Sequence, residues 1–139
     1  MAWRSEIQIL KEQLFEFSHG DIIFEYTIPR MGHRVDVICI IEGIIFLLEF
    51  KVGDKEYKKS TTDQVMDYAL DLKYFHDKSR TRYLVPINVS TKAVEIQNEY
   101  YCMSDNIHNT LFAMKKILAV LFEKVFRELM TRRYLHWSG

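Results

Sequence analysis

The chain has 139 residues, of which 48% are hydrophobic, 27% charged and 14% aromatic, and its formal net charge is zero. This composition is typical of a globular protein, and the length fits a single domain over residues 1–139. A neutral chain has no overall field that would attract polyanions or an anionic membrane surface. Any site for nucleic acid must therefore come from local clustering of charge.

The apolar run from Val35 to Phe50 is interrupted by Glu42-Gly43 and is too short to span a bilayer, so no membrane partner is expected. The sequence has no signal-peptide core at its start. Cys39 and Cys102 lack metal-ligand spacing and favour a reducing compartment. These features predict a cytoplasmic location.

The hydrophobic pattern predicts a mixed α/β domain in which a strand, a crossover helix and a second strand form a right-handed parallel unit. Pro86 predicts that the strand after this helix lies at a sheet edge or carries a bulge. The predicted elements are a helix over residues 3–18, strands over residues 22–28, 34–41 and 44–51, a helix from Ser60 to about His76, a strand over residues 83–90, a short strand over residues 99–103 and a helix from Asn109 to about Arg133.

Two apolar segments meet at Glu42-Gly43, which predicts a β-hairpin. With a two-residue turn, facing residues have numbers that sum to 85, so Asp36 is expected opposite Glu49, with Cβ atoms about 4.5–5.5 Å apart. By the same register Arg34 faces Lys51, which shares a face with Glu49. A three-residue loop would shift this register by one, and Glu42 is an unusual first residue for such a turn.

Burying ionised groups at the ends of apolar strands is costly unless they are paired, hydrogen-bonded or bound to a metal. Two adjacent carboxylates suit Mg²⁺, which takes oxygen ligands and can activate water for attack on a phosphate. A lysine two residues further on can orient that water or stabilise developing charge. The alternative is an ordinary ion pair of Glu49 with Lys51, but this does not explain why Glu49 closes an apolar run.

Asp36, a gap of twelve residues and then Glu49-Phe50-Lys51 resemble the core motif of the PD-(D/E)XK nuclease superfamily, with Val35 where a proline is common. Gln64 and Tyr68 resemble the Gln-x-x-x-Tyr motif of its RecB-like branch. The match covers about residues 3–90, which would form the core, and residues 91–139 would add a C-terminal strand and long helix. The resemblance implies a restriction-endonuclease-like fold: a three-layer α/β core whose mixed sheet is flanked by helices.

The resemblance also implies roles for particular residues. Asp36 and Glu49 would be metal ligands together with the backbone carbonyl of Phe50, and Lys51 would position the attacking water. Gln64 would hold the scissile phosphate or the lysine, and Tyr68 would contact the nucleic-acid backbone. Further candidates are Glu6 as an additional metal ligand, with Glu12 and Glu16 as rivals, and Arg30 and Arg34 as nucleic-acid contacts, although Arg34 would serve equally well to neutralise a carboxylate.

Four segments are also similar to the N-terminal nuclease-like region of a bacterial family of predicted DNA/RNA helicases: residues 25–30, 34–36, 49–53 and 63–72. In that family a P-loop helicase module follows the nuclease-like region. These 139 residues contain no Gly-x-x-x-x-Gly-Lys-[Ser/Thr] and so cannot bind ATP in that way. The chain is expected to be a standalone or truncated relative or a fragment, with a helicase module as partner in a full-length protein.

The sequence therefore predicts a nuclease that uses Mg²⁺, with Mn²⁺ able to substitute, and that acts on DNA. The alternatives are a nucleic-acid-binding or docking module with little activity of its own, and an RNA nuclease. A homodimer through the apolar last helix is a further expectation.

Overall fold

The computed structural model describes residues 8–9, 20–28, 32–75, 81–103 and 105–138. Gln8 and Ile9 are helical, and the rest of the predicted first helix lies outside the described residues. The candidate metal ligands Glu6, Glu12 and Glu16 and the candidate nucleic-acid contact Arg30 also lie outside the described residues.

The described elements form one five-stranded sheet with helices packed against it. Strands β1, β2 and β3 are antiparallel, and β3, β4 and β5 are parallel, in the spatial order β1-β2-β3-β4-β5. The elements are β1 (Asp21–Thr27), β2 (Arg34–Ile41), β3 (Ile44–Lys51), α1 (Lys59–Phe75), β4 (Leu84–Ser90), β5 (Leu111–Ala113) and α2 (Leu118–Ser138).

The β2–β3 hairpin has the predicted turn and register. Glu42 and Gly43 both have positive φ, 54° and 77°, as a type I′ turn requires at its two central positions. The ladder runs from Ile41 opposite Ile44 to Val37 opposite Leu48, so the facing residue numbers sum to 85. The predicted hairpin register is therefore confirmed over these pairs.

Each face of the sheet is covered by one of these helices. An α1-side cluster joins Val65, Tyr68, Ala69 and Leu72 of α1 to strand residues that include Ile28, Val35, Ile38, Ile45, Leu47 and Leu84. An α2-side cluster joins Leu118, Leu121, Phe122, Val125 and Leu129 of α2 to strand residues that include Val37, Cys39, Phe46, Leu48, Val85 and Ile87. Burial of both faces explains why β3 is a nearly continuous apolar run rather than an alternating one.

Strand β4 lies inside the sheet, so the prediction of an edge strand was wrong. Leu84 donates its N–H to the carbonyl of Asn106, and its own carbonyl accepts from His108. The main-chain groups of Pro86, two residues after Leu84, point to the same side of β4. Strand β5, however, begins only at Leu111, which lies opposite Ile87. The proline is tolerated because no strand residue faces it in this gap.

The segment after β4 also differs from the prediction. Residues 111–113 form β5 instead of the start of a helix, because Leu111 and Ala113 are buried beside β4 and pair with it. The last helix therefore begins at Leu118 rather than at Asn109. The predicted strand over residues 99–103 is reduced to an isolated bridge between Cys102 and His108.

In the described parts of the chain, no helix combines the length and apolar composition that a membrane span requires.

Candidate active site

Strand β2 changes faces at Asp36. Residues two apart in a regular strand share a face, yet Val35 packs in the α1-side cluster and Val37 in the α2-side cluster. Opposite this point in β1, Glu25 has a positive φ of 53° and falls between the paired residues of the β1–β2 ladder. Asp36 therefore lies at a local distortion shared by both strands.

This distortion directs the carboxylate of Asp36 toward β3. Its Oδ2 accepts a hydrogen bond from the backbone N–H of Phe50 at 3.0 Å. The β2–β3 ladder ends at Val37 and Leu48, so the side chain takes the place of a main-chain acceptor. In an extended strand the N–H and C=O of one residue point to the same side, so the Phe50 carbonyl faces the side of β3 on which Asp36 lies.

Glu49 and Lys51 project from the end of β3 toward the face covered by α1. The Glu49 side chain is only 7% exposed, whereas that of Lys51 is 37% exposed, and Lys51 Nζ lies 3.7 Å from Glu49 Oε1. The lysine compensates part of the cost of burying a carboxylate and leaves its amine at the solvent boundary. The predicted common face of these two residues is confirmed by this contact.

Helix α1 brings Gln64 and Tyr68 to the same place. Gln64 Nε2 donates a hydrogen bond to the Tyr68 hydroxyl, one helical turn away. Burial raises the pKa of the Tyr68 phenol, and the hydrogen bond from Gln64 lowers it. Negative charge on Glu49 and on Asp36 raises this pKa further. The phenol is thus within electrostatic reach of both carboxylates.

Two residues that the sequence analysis did not single out line the same face. In the parallel β3–β4 ladder, Asn88 lies beside Glu49 and Ser90 beside Lys51, and both are fully buried. Ser90 Oγ donates to Asn88 Oδ1 at 2.8 Å, and Asn88 Nδ2 donates to Thr62 Oγ1 of α1 at 3.2 Å. The sequence signal for these two residues is their spacing of two in an otherwise apolar strand, which puts both on one face. Only the pairing of β4 with β3 shows that this face is the one that carries Glu49 and Lys51.

Some of the predicted site residues are not assembled as expected. Arg34 is exposed and pairs with Thr27 of β1, and the β2–β3 ladder does not extend to Lys51. Asp36 likewise does not pair with Glu49 in the ladder and meets β3 through Phe50 instead. The expected direct cross-strand pairs are thus wrong at this end of the hairpin, because the ladder ends at Val37 and Leu48 and the Asp36 side chain takes the next backbone donor of β3.

The donors present fit a hard cation. Among the described residues no group of three or more His, Cys, Asp or Glu side chains is placed to hold a metal. Mg²⁺, however, commonly takes only one or two carboxylates and keeps several waters. Asp36, Glu49 and the Phe50 carbonyl would supply two carboxylates and one neutral oxygen of that kind.

No family model matches the sequence, and no curated protein sequence matches it. The crystal structure of a repair endonuclease from Pyrococcus abyssi is similar, with a TM-score of 0.52 at 18% sequence identity. The similarity covers 81% of this chain and 46% of that endonuclease, so the chain spans about half its length. Together with the mixed five-stranded sheet, this similarity shows that the chain has a restriction-endonuclease-like α/β fold.

Proposed function

We propose that the protein is a metal-dependent nuclease that hydrolyses phosphodiester bonds in DNA. The observation that carries the proposal is the hydrogen bond from the Phe50 N–H to Asp36, which brings this carboxylate to the end of β3 that carries Glu49 and Lys51. The similarity of the fold to that of a repair endonuclease supports the proposal.

In this proposal Asp36, Glu49 and the Phe50 carbonyl hold Mg²⁺, and Mn²⁺ substitutes for it. The bound ion supplies Lewis-acid chemistry, polarising a phosphoryl oxygen and lowering the pKa of a bound water. Glu49 also positions the Lys51 amine through the ion pair between the two side chains.

Lys51 and Tyr68 act on the substrate directly, and a third group of residues positions Gln64. Lys51, at the solvent boundary, donates hydrogen bonds to the attacking water and to the charged phosphate oxygens. Because the Tyr68 hydroxyl accepts from Gln64, its own proton can be donated to an oxygen of the nucleic-acid backbone. The buried network of Asn88 and Thr62 holds the first turns of α1 against β4 and thereby fixes the place of Gln64.

The test is cleavage of labelled single- and double-stranded DNA and RNA with Mg²⁺, Mn²⁺ or EDTA. We expect metal-dependent cleavage of DNA that falls by about 10²-fold or more in Glu49→Ala and in Lys51→Ala, since each removes a group that acts on the reacting atoms. Glu123→Ala and Lys116→Ala are matched controls, because both positions are exposed on or just before α2. Circular dichroism checks that all variants fold.

Undiminished cleavage by both site variants would contradict the proposal. Metal-dependent cleavage of RNA but not of DNA would identify the RNA nuclease instead. Binding of nucleic acid without any cleavage would identify a docking module. Titration with Mn²⁺ also distinguishes a catalytic site from a docking module. A catalytic site should bind Mn²⁺, and Asp36→Asn should weaken that binding while keeping an oxygen acceptor for the Phe50 N–H.

A further inference from the structure

A histidine–aspartate pair lies against Tyr68 on the side away from Gln64. His33 directly precedes β2, and its Nδ1 is 2.7 Å from Asp71 Oδ2 of α1. The His33 and Tyr68 rings are 5.3 Å apart and inclined at 45°. These contacts join two segments that are 38 residues apart in the chain.

The pair extends the candidate active site along one edge of α1. Gln64, Tyr68 and Asp71 are spaced by four and three residues, so they lie on the same side of the helix. Tyr68 touches Gln64 on one side and His33 on the other. A row of polar groups therefore runs from Gln64 through Tyr68 to His33, and the Tyr68 phenol is within electrostatic reach of Asp36 and Glu49.

The chemistry of the pair selects its ligand. An ionised carboxylate can only accept hydrogen bonds. The N–H on Nδ1 of His33 is therefore the donor of the hydrogen bond to Asp71. In the imidazolium form of His33 the second N–H, on Nε2, also needs an acceptor. The His33 side chain is 44% exposed and the Asp71 side chain only 17% exposed, so the imidazole is the partner that a ligand can reach.

We propose that protonated His33, held in place by Asp71, binds a backbone phosphate of the nucleic acid next to the one in the active site. The inference rests on the proposed nuclease function, since it extends the same site by one phosphate. Among the residues that the structure describes, the charged or titratable groups in contact with His33 are Asp71 and Tyr68 of α1, and Arg34 follows it as the first residue of β2.

The test is DNA binding in EDTA, where no divalent ion is present to support cleavage. Fluorescence anisotropy of a fluorescein-labelled oligonucleotide, as single strand and as duplex, is followed against salt concentration. We expect His33→Gln to weaken binding and to reduce the slope of log K against log salt by about 0.7 for single strands and about 0.9 for duplex. The ratio of wild-type to variant affinity should then shrink by about threefold between about 50 and 200 mM salt.

The controls separate a phosphate contact from a structural tether between β2 and α1. His33→Arg should retain the wild-type slope, because arginine keeps the charge and can reach a phosphate. Lys116→Gln removes one exposed charge from the turn before α2 and should leave the slope unchanged. Equal loss of affinity and of melting temperature in His33→Gln and His33→Arg, with an unchanged slope, would overturn the proposal.

Failure of this inference is distinguishable from failure of the nuclease proposal. If no substrate is cleaved but the salt slope falls in His33→Gln, the nuclease proposal fails and the phosphate contact stands. If cleavage is lost in His33→Gln while affinity and slope are unchanged, His33 acts in the reaction and the phosphate contact is wrong. Absence of any DNA binding by the unaltered protein also overturns it.

Discussion

The carboxylate of Asp36 illustrates how one side chain can serve both the fold and a site. It accepts the Phe50 N–H at the point where the β2–β3 ladder stops, so the backbone donor does not lack a partner. The same contact brings negative charge to the end of β3, where Asp36 and Glu49 both act electrostatically on the Tyr68 phenol. Sequence alone indicated which residue types meet here, but not that Asp36 would do so through Phe50.

At the same scale, Glu42 carries backbone strain that is independent of the site. It is exposed and has a φ of 54°, a region that costs an L-residue about 1–2 kcal/mol and that asparagine adopts more readily. We expect Glu42→Asn to raise the free energy of unfolding by about 0.5–1 kcal/mol, measured by urea denaturation. Glu42→Gln keeps the strain and should give no gain; an equal gain in both variants would show that charge, not φ, is responsible.

At the scale of elements, the β4–α1 contact is both apolar and polar. Val65 and Leu72 of α1 pack with Leu84 of β4, and the chain of hydrogen bonds from Ser90 through Asn88 reaches Thr62 near the start of the helix. Buried polar networks of this kind fix a relative position, because a shift would leave several groups unsatisfied. The helix that carries Gln64 and Tyr68 is thus held in register with the strand that flanks Glu49.

This network leads to a prediction for stability. Asn88→Ala leaves the Ser90 hydroxyl without its acceptor in a fully buried place and removes the donor to Thr62 Oγ1, and we expect a loss of about 2–4 kcal/mol from the lost hydrogen bonds and packing. Gln97→Ala, which shortens an exposed amide, should stay within about 0.5 kcal/mol of the unaltered protein. Equal unfolding midpoints in urea for the two variants would contradict a structural role for Asn88.

At the scale of the whole molecule, burial makes stability depend on alkaline pH. Burial raises the pKa of the Cys39 thiol from 9.0 to about 12. The unfolded chain therefore loses this proton first, so the stabilisation is complete below about pH 9 and is lost as the pH rises toward 12. Burial also raises the pKa of Tyr57, Tyr68 and Tyr100, and these phenols act in the same direction.

We expect Cys39→Val to flatten the alkaline loss of stability by up to about 1.4 kcal/mol per pH unit, because valine has no proton to lose. Urea denaturation at several pH values between about 8 and 11 measures this slope, and the tyrosines leave a residual loss in every variant. Cys102→Val, at a half-buried position, is the matched control. An unchanged slope in Cys39→Val would show that Cys39 does not carry the effect.

The local parts of the fold followed from the sequence. The apolar runs around Glu42-Gly43 predicted the hairpin and its register, because the turn itself sets which residues face each other. The helical periodicity after Ser60 predicted α1 almost to the residue, with Val65, Ala69 and Leu72 on its buried side. These features depend on neighbours within a few positions, which a single sequence records.

The remaining features depend on residues that are far apart in the chain. Pairing with β4 turned residues 111–113 into a strand, although their spacing suited a helix. The distortion at Asp36, the placement of Asn88 beside Glu49 and the His33–Asp71 pair each need two or three elements to be assembled first. The spacing of Asp36, Glu49 and Lys51 in the sequence was enough to propose them as site residues. Their contacts were set by non-local pairing and packing, whose energies do not show in any local pattern.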